Sequence, residues 1–171
     1  MIAHPTARFA FAHPAHIIAL GFGTGLAPVA PGTVGTALAF PIFMLLDWWL
    51  DPLSAYDPRV KAAAIFGVIV AFFAIGVWAC GRTGRDLGVA DHSGMNWDEV
   101  VSMLLVLMFV RDDWRWWLFA FFVFRLFDVL KPPPIRHIDR TMKGGLGVMF
   151  DDIVAAFYTL LVIAVITRVL F

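Results

Sequence analysis

Two pairs of adjacent acids, Asp98-Glu99 and Asp151-Asp152, are the residues of this chain best suited to chemistry. Each pair opens an apolar run that reads as a helix. Between them Arg125, Asp128 and Lys131 recur every third position, so they share one face of any helix that reaches that far. More basic groups follow at Arg136, Arg140 and Lys143. Carboxylates beside Arg and Lys suit a divalent cation together with a phosphate. Mg²⁺ takes oxygen ligands, typically one or two carboxylates plus waters and phosphate oxygens. Basic side chains then offset the remaining phosphate charge. A structural ion-pair network accounts for the same residues, and acids at a helix start also complement its dipole, by about 0.3–1 kcal/mol each. The acid bias adds weight to a role at helix ends: twelve are Asp and only Glu99 is Glu, and Asp favours helix ends, turns and metal sites.

A third segment, Gly21 to Gly35, is rich in Gly and Pro and leads into an apolar run. A glycine loop that ends at a helix N-terminus offers free backbone N–H groups to a phosphate. Gly32 and Thr33 stand at that entry, and Thr33 is suited to cap the helix. Close packing of small residues is the plainer account of the same segment.

The elements that must hold these groups are membrane helices. The 171 residues are 61% hydrophobic and only 15% charged, with a mean hydropathy of +0.82; apolar surface on this scale aggregates in water. Thirteen acids balance thirteen bases, so no basic excess points to nucleic acid. With one cysteine, Cys80, an intramolecular disulfide is excluded. A spanning helix needs about 20 apolar residues. Thr33–Leu50, Ala62–Cys80 and Ile153–Phe171 meet or approach that length. Trp97–Val110 and Trp114–Leu130 are shorter and form a hairpin around Arg111-Asp112-Asp113. The seven tryptophans fall at the ends of these runs, where amphipathic rings prefer the membrane interface. The expected fold is one all-α domain over 1–171, an integral membrane bundle of about five transmembrane or partly spanning helices. Its N-terminal segment and the 81–99 and 128–152 loops share one side. Eight basic residues there against five on the other make that side cytoplasmic. All three motif segments lie on it.

Several phosphatase chemistries fail on the residues. A cysteine-phosphatase loop after Cys80 needs Arg six positions on, where Asp86 stands. There is no Asp-x-Asp pair, no Gly-x-Ser-x-Gly elbow and no Pro-Ser-Gly-His run. A small transporter would line its spans with charges, whereas these flank them, and an assembly protein would need no metal. Aromatic faces such as 119–124 fit lipid contact or the seam of a homo-oligomer.

The chain resembles the phosphatidylglycerophosphatase A family of bacterial membrane enzymes. The matching runs are Gly-Thr-Gly-Leu-Ala-Pro-x-Ala-Pro-Gly-Thr-x-Gly at 23–35, Trp-Asp-Glu at 97–99, Phe-Arg-x-Phe-Asp-x-x-Lys-Pro at 124–132, Pro-Ile-Arg at 134–136 and Gly-Gly-x-Gly-x-Met-x-Asp-Asp-x-x-Ala at 144–155. Small departures occur at Ser102, Pro133 and Ala156. The resemblance implies a Mg²⁺-dependent hydrolase of the bacterial inner membrane, its site facing the cytoplasm and its substrate a phospholipid. It would convert phosphatidylglycerophosphate to phosphatidylglycerol and phosphate. On that reading Asp98, Glu99, Asp151 and Asp152 hold one or two Mg²⁺ ions, with Asp128 as a further ligand. Arg125, Lys131 and Arg136 grip phosphate oxygens, while Arg82 and Arg85 are weaker candidates. His92 is a candidate proton donor to the leaving alkoxide, with an incidental loop histidine as the plainer account. A metal-activated water and an aspartyl nucleophile both remain open.

Overall fold

In the computed structural model, residues 5–170 are described. Residues 1–4 and 171, and with them the Phe171 limit of the last span, lie outside the described residues. Among the described residues eight α-helices follow in chain order: α1 Ala7–Ala10, α2 Pro14–Ala19, α3 Pro31–Leu50, α4 Pro58–Leu87, α5 Trp97–Phe109, α6 Trp114–Leu130, α7 Ile135–Thr141 and α8 Gly145–Leu170. Short 3₁₀ turns at Gly21–Leu26 and Asp51–Ala55 complete the path. No strand occurs among the described residues.

The helix limits follow local chemistry. The Asp57 carboxylate accepts the Arg59 N–H at 2.8 Å and Pro58 takes the first helical position, so α4 starts there. Gly88, at φ 73°, ends it. Asp113 caps α6 in the same way, accepting from Arg115 N–H at 2.8 Å.

Among the described residues three helices are long and apolar enough to cross a membrane: Pro31–Ala55 (α3 with its 3₁₀ extension), Pro58–Leu87 and Gly145–Val169. Their outer faces expose Leu45, Trp48, Val70, Trp78, Leu161 and Val165, which is an apolar belt suited to lipid rather than water. At their centre stands α5. It is apolar nearly all round, as a core helix must be, and Val100 to Leu107 are all buried. Its 13 residues reach only about 20 Å, less than the roughly 30 Å of hydrocarbon in a bilayer. It is therefore a partly spanning helix enclosed by α3, α4 and α8. Glycines allow this closeness: a Cβ on Gly76 would lie 2.6 Å from Met149 Sδ and 2.8 Å from Trp97.

Four sequence expectations change. Thr33 does not cap α3; the helix begins at Pro31 after Ala30, whose left-handed backbone (φ 47°) makes the turn. Asp151-Asp152 do not open α8, which starts two turns earlier at Gly145 and has no acid in its first turn. Arg82 and Arg85 lie not in a loop but on the last turns of α4, which runs on to Leu87 because no residue breaks the helix before Gly88. Trp97 is no interface ring: it is buried, and its indole donates to the Phe72 carbonyl at 3.1 Å. Trp78, likewise, lies inside the longer α4.

Candidate functional site

The chemistry gathers where the starts of α3 and α5 meet α8 and the end of α6. Asp98 and Glu99 occupy the first turn of α5, and Asp152 comes from the second turn of α8. One ligand oxygen from each of these three residues lies within 4.8 Å of the other two. All three oxygens sit in a nearly closed setting, with Asp98 8% and Asp152 2% exposed. Asp98 Oδ1, Glu99 Oε2 and Asp152 Oδ2 are buried without a hydrogen-bond partner. Burying several carboxylates together is very costly unless something positive joins them. A hard divalent cation fits this donor set, because it takes oxygen ligands of this kind.

Arg125, on α6, faces the trio. Its Nη1 donates to Asp128 Oδ2 at 2.5 Å and lies 3.5 Å from both Glu99 Oε1 and Thr36 Oγ1. Its Nε is buried without an acceptor. Asp128 also stands next to Asp152. Gly32 completes the wall: a Cβ there would lie 2.1 Å from Glu99 Oε1 and 3.1 Å from Arg125 Nη1. The N–H groups of the first turn of α3, which include those of Gly32 and Thr33, have no partner within the helix, so this end of α3 faces the carboxylates with its positive pole.

Lys131 works on a neighbouring cluster. Its ammonium donates to Asp151 Oδ2 at 2.6 Å and to Asp139 Oδ1 at 2.9 Å. Burial opposes that charge, but Asp151 and Asp139 outweigh it and hold the lysine above its usual pKa range. Asp151 thus turns away from Asp152, although its Oδ1 is also buried and unpartnered. Arg136 is exposed on α7, and among the described residues it forms no ion pair with either cluster. Arg82 pairs with Asp86 at 2.8 Å, beside the His16–Asp86 contact at 2.9 Å. His92 is buried and accepts the Gly94 N–H at Nδ1, 3.0 Å away.

The family model for phosphatidylglycerophosphatase A matches residues 17–167. The chain belongs to the phosphatidylglycerophosphatase A family. A phosphatidylglycerophosphatase A of Escherichia coli K12 is 40% identical over 86% of this chain and 80% of its own length. One from Haemophilus influenzae is 38% identical over 94% and 93%. A Bacteroides thetaiotaomicron relative, 38% identical over 87% and 91%, carries a provisional phosphatidylinositol-3-phosphatase name. No solved structure matches significantly. Membership in this family makes the chain a phosphoric monoester hydrolase of phospholipid metabolism, and its apolar helices make it membrane-associated.

Sequence reasoning missed Asn96, Thr36 and Asp139. Asn96 is fully buried. Its Nδ2 donates at 2.9 Å both to Thr24 Oγ1 and to the Pro31 carbonyl, and its N–H donates to the Ala19 carbonyl. It therefore ties the glycine-rich turn and the start of α3 to the start of α5. A polar residue directly before Trp-Asp-Glu was the available signal. Nothing in the spacing marked Thr36 or Asp139, whose partners are 89 and 8 residues away.

Proposed function

We propose that this chain hydrolyses phosphatidylglycerophosphate to phosphatidylglycerol and inorganic phosphate, using Mg²⁺, at the cytoplasmic face of a bacterial inner membrane. The observation that carries the reading is the buried trio Asp98, Glu99 and Asp152 with its unpartnered oxygens, in a chain whose relatives bear that enzyme's name.

Asp98, Glu99 and Asp152 would hold the cation, and Asp128, aligned by Arg125, would stand beside them. A bound Mg²⁺ neutralises phosphate charge and makes a water more acidic. Arg125 binds phosphate oxygens through its unpartnered Nε, since a guanidinium suits planar recognition of phosphate. The first N–H groups of α3, at Gly32 and Thr33, supply further donors. Enclosure by α3, α5, α6 and α8 excludes bulk water, which strengthens each of these interactions. The apolar belt leaves the acyl chains in lipid while the headgroup meets the site at the membrane surface. Arg136, exposed on α7, meets the outer headgroup rather than the scissile phosphate.

The test is phosphate release by protein purified in detergent, from phosphatidylglycerophosphate, phosphatidic acid and phosphatidylinositol 3-phosphate. The expected result is release that favours the first lipid, stops with EDTA and returns with Mg²⁺. EDTA-resistant turnover would remove the cation, and preference for the inositol lipid would move the substrate toward the activity named for the Bacteroides relative.

A further inference from the structure

We propose that this site holds a single divalent cation, at Asp98, Glu99 and Asp152, and that the Lys131 ammonium stands in place of a second one, between Asp139 and Asp151. The inference rests on the cation reading above and decides its stoichiometry.

Adjacent residues on a helix point about 100° apart, and here the Asp151-Asp152 pair divides between two clusters. Asp152 joins the trio. Asp151 meets Lys131 at 2.6 Å, and Asp139 meets the same ammonium at 2.9 Å. Two-metal phosphatase sites set their ions about 3.5–4 Å apart and share carboxylates between them. Here the next carboxylates already have a cation covalently tethered to the chain. Among the described residues the trio is the one group of three or more His, Cys, Asp or Glu whose ligand atoms all lie within 4.8 Å of one another.

The lysine is not casually placed. It ends α6 with a left-handed backbone, φ 42°, a conformation non-glycine residues rarely adopt. Pro132 follows it, so the helix cannot continue. The turn brings Nζ across to α8 and α7, where it bonds Asp151 and Asp139. A cation so engaged is not free to grip the substrate phosphate, and that task falls to Arg125.

Mn²⁺, counted by equilibrium dialysis and by its paramagnetic resonance spectrum in detergent without substrate, tests the proposal. Wild-type protein should bind one isolated ion per chain. Asp152→Asn should lose it, Asp151→Asn should keep it, and Lys131→Met should take a second. Two ions in wild type, or a magnetically coupled pair, would overturn the proposal and leave the cation reading standing. No ion in folded wild-type protein would overturn both. One ion in Lys131→Met as in wild type would remove the stand-in role. Should Lys131→Met not fold, the wild-type count and the Asp151 and Asp152 variants still decide the matter.

Discussion

Gly32 shows how narrowly the site is drawn at the scale of one residue. In a helix Ala is favoured over Gly by about 1 kcal/mol, so Gly32→Ala should hold or raise the melting temperature. The same methyl would lie 2.1 Å from Glu99 Oε1 and must displace the carboxylate. Phosphate release should therefore fall, by roughly tenfold to a hundredfold, the range seen when groups that orient metal ligands are lost. Unchanged activity would place Glu99 outside the working site. Glu99→Gln and Asp152→Asn remove charge from the trio with little change of shape. Each should cut turnover by at least about a hundredfold while circular dichroism stays that of the wild type. Near-normal hydrolysis by either variant would sink its assignment. The dipole account of the acids is limited by position. It serves Asp98 and Glu99, which sit in the first turn of α5, but not Asp151 and Asp152, which lie beyond the first turn of α8 where the dipole effect has faded.

At the scale of elements, the site depends on α8 lying close to α4 and α5. The close approach rests on small residues: a Cβ on Gly145 would lie 1.9 Å from the Val77 carbonyl oxygen, a backbone atom that cannot move aside. Gly145→Ala should push α8 away from α4 and cost about 1–3 kcal/mol, as overpacking does. Thermal unfolding in detergent reads this loss, and an unaltered midpoint would show that the two helices are not in register there. Asn96 plays the complementary role on the other side. Asn96→Ala leaves the Pro31 carbonyl and Thr24 without their buried donor and should destabilise by about 1–3 kcal/mol. It should also loosen the α3 entry and so lower activity.

At the scale of the whole molecule, the motif segments share one face although they are far apart in the chain. Bonds between Asn96 and Thr24, His16 and Asp86, and Lys131 and Asp151 draw that face together. The opposite face carries the Asp51–Ala55 turn and the Arg111–Asp113 turn between α5 and α6. With Cys80 buried, the native thiol gives little background in labelling. A polar maleimide should reach Arg140→Cys only from the cytoplasmic side and Tyr56→Cys, at an exposed position, only from the other. The reverse pattern would invert the orientation and put the carboxylates outside the cell.

What the sequence by itself determined was the membrane class, the helical fold and the shared face of the motif segments that carry the candidate acids. These follow from composition, from runs of apolar residues long enough for a bilayer, and from motifs that stay readable along the chain. Only the tertiary structure decided which acids meet. The separation of Asp151 from Asp152 depends on helix phase and on where α8 begins, and Gly145, rather than the acids, sets that start. The depth of α5 likewise came from packing: its apolar residues read equally well as a lipid-facing span until α3, α4 and α8 enclosed them. Asn96, Thr36 and Asp139 acquired their roles from partners brought near by the fold, and local spacing cannot encode a contact made across 89 residues.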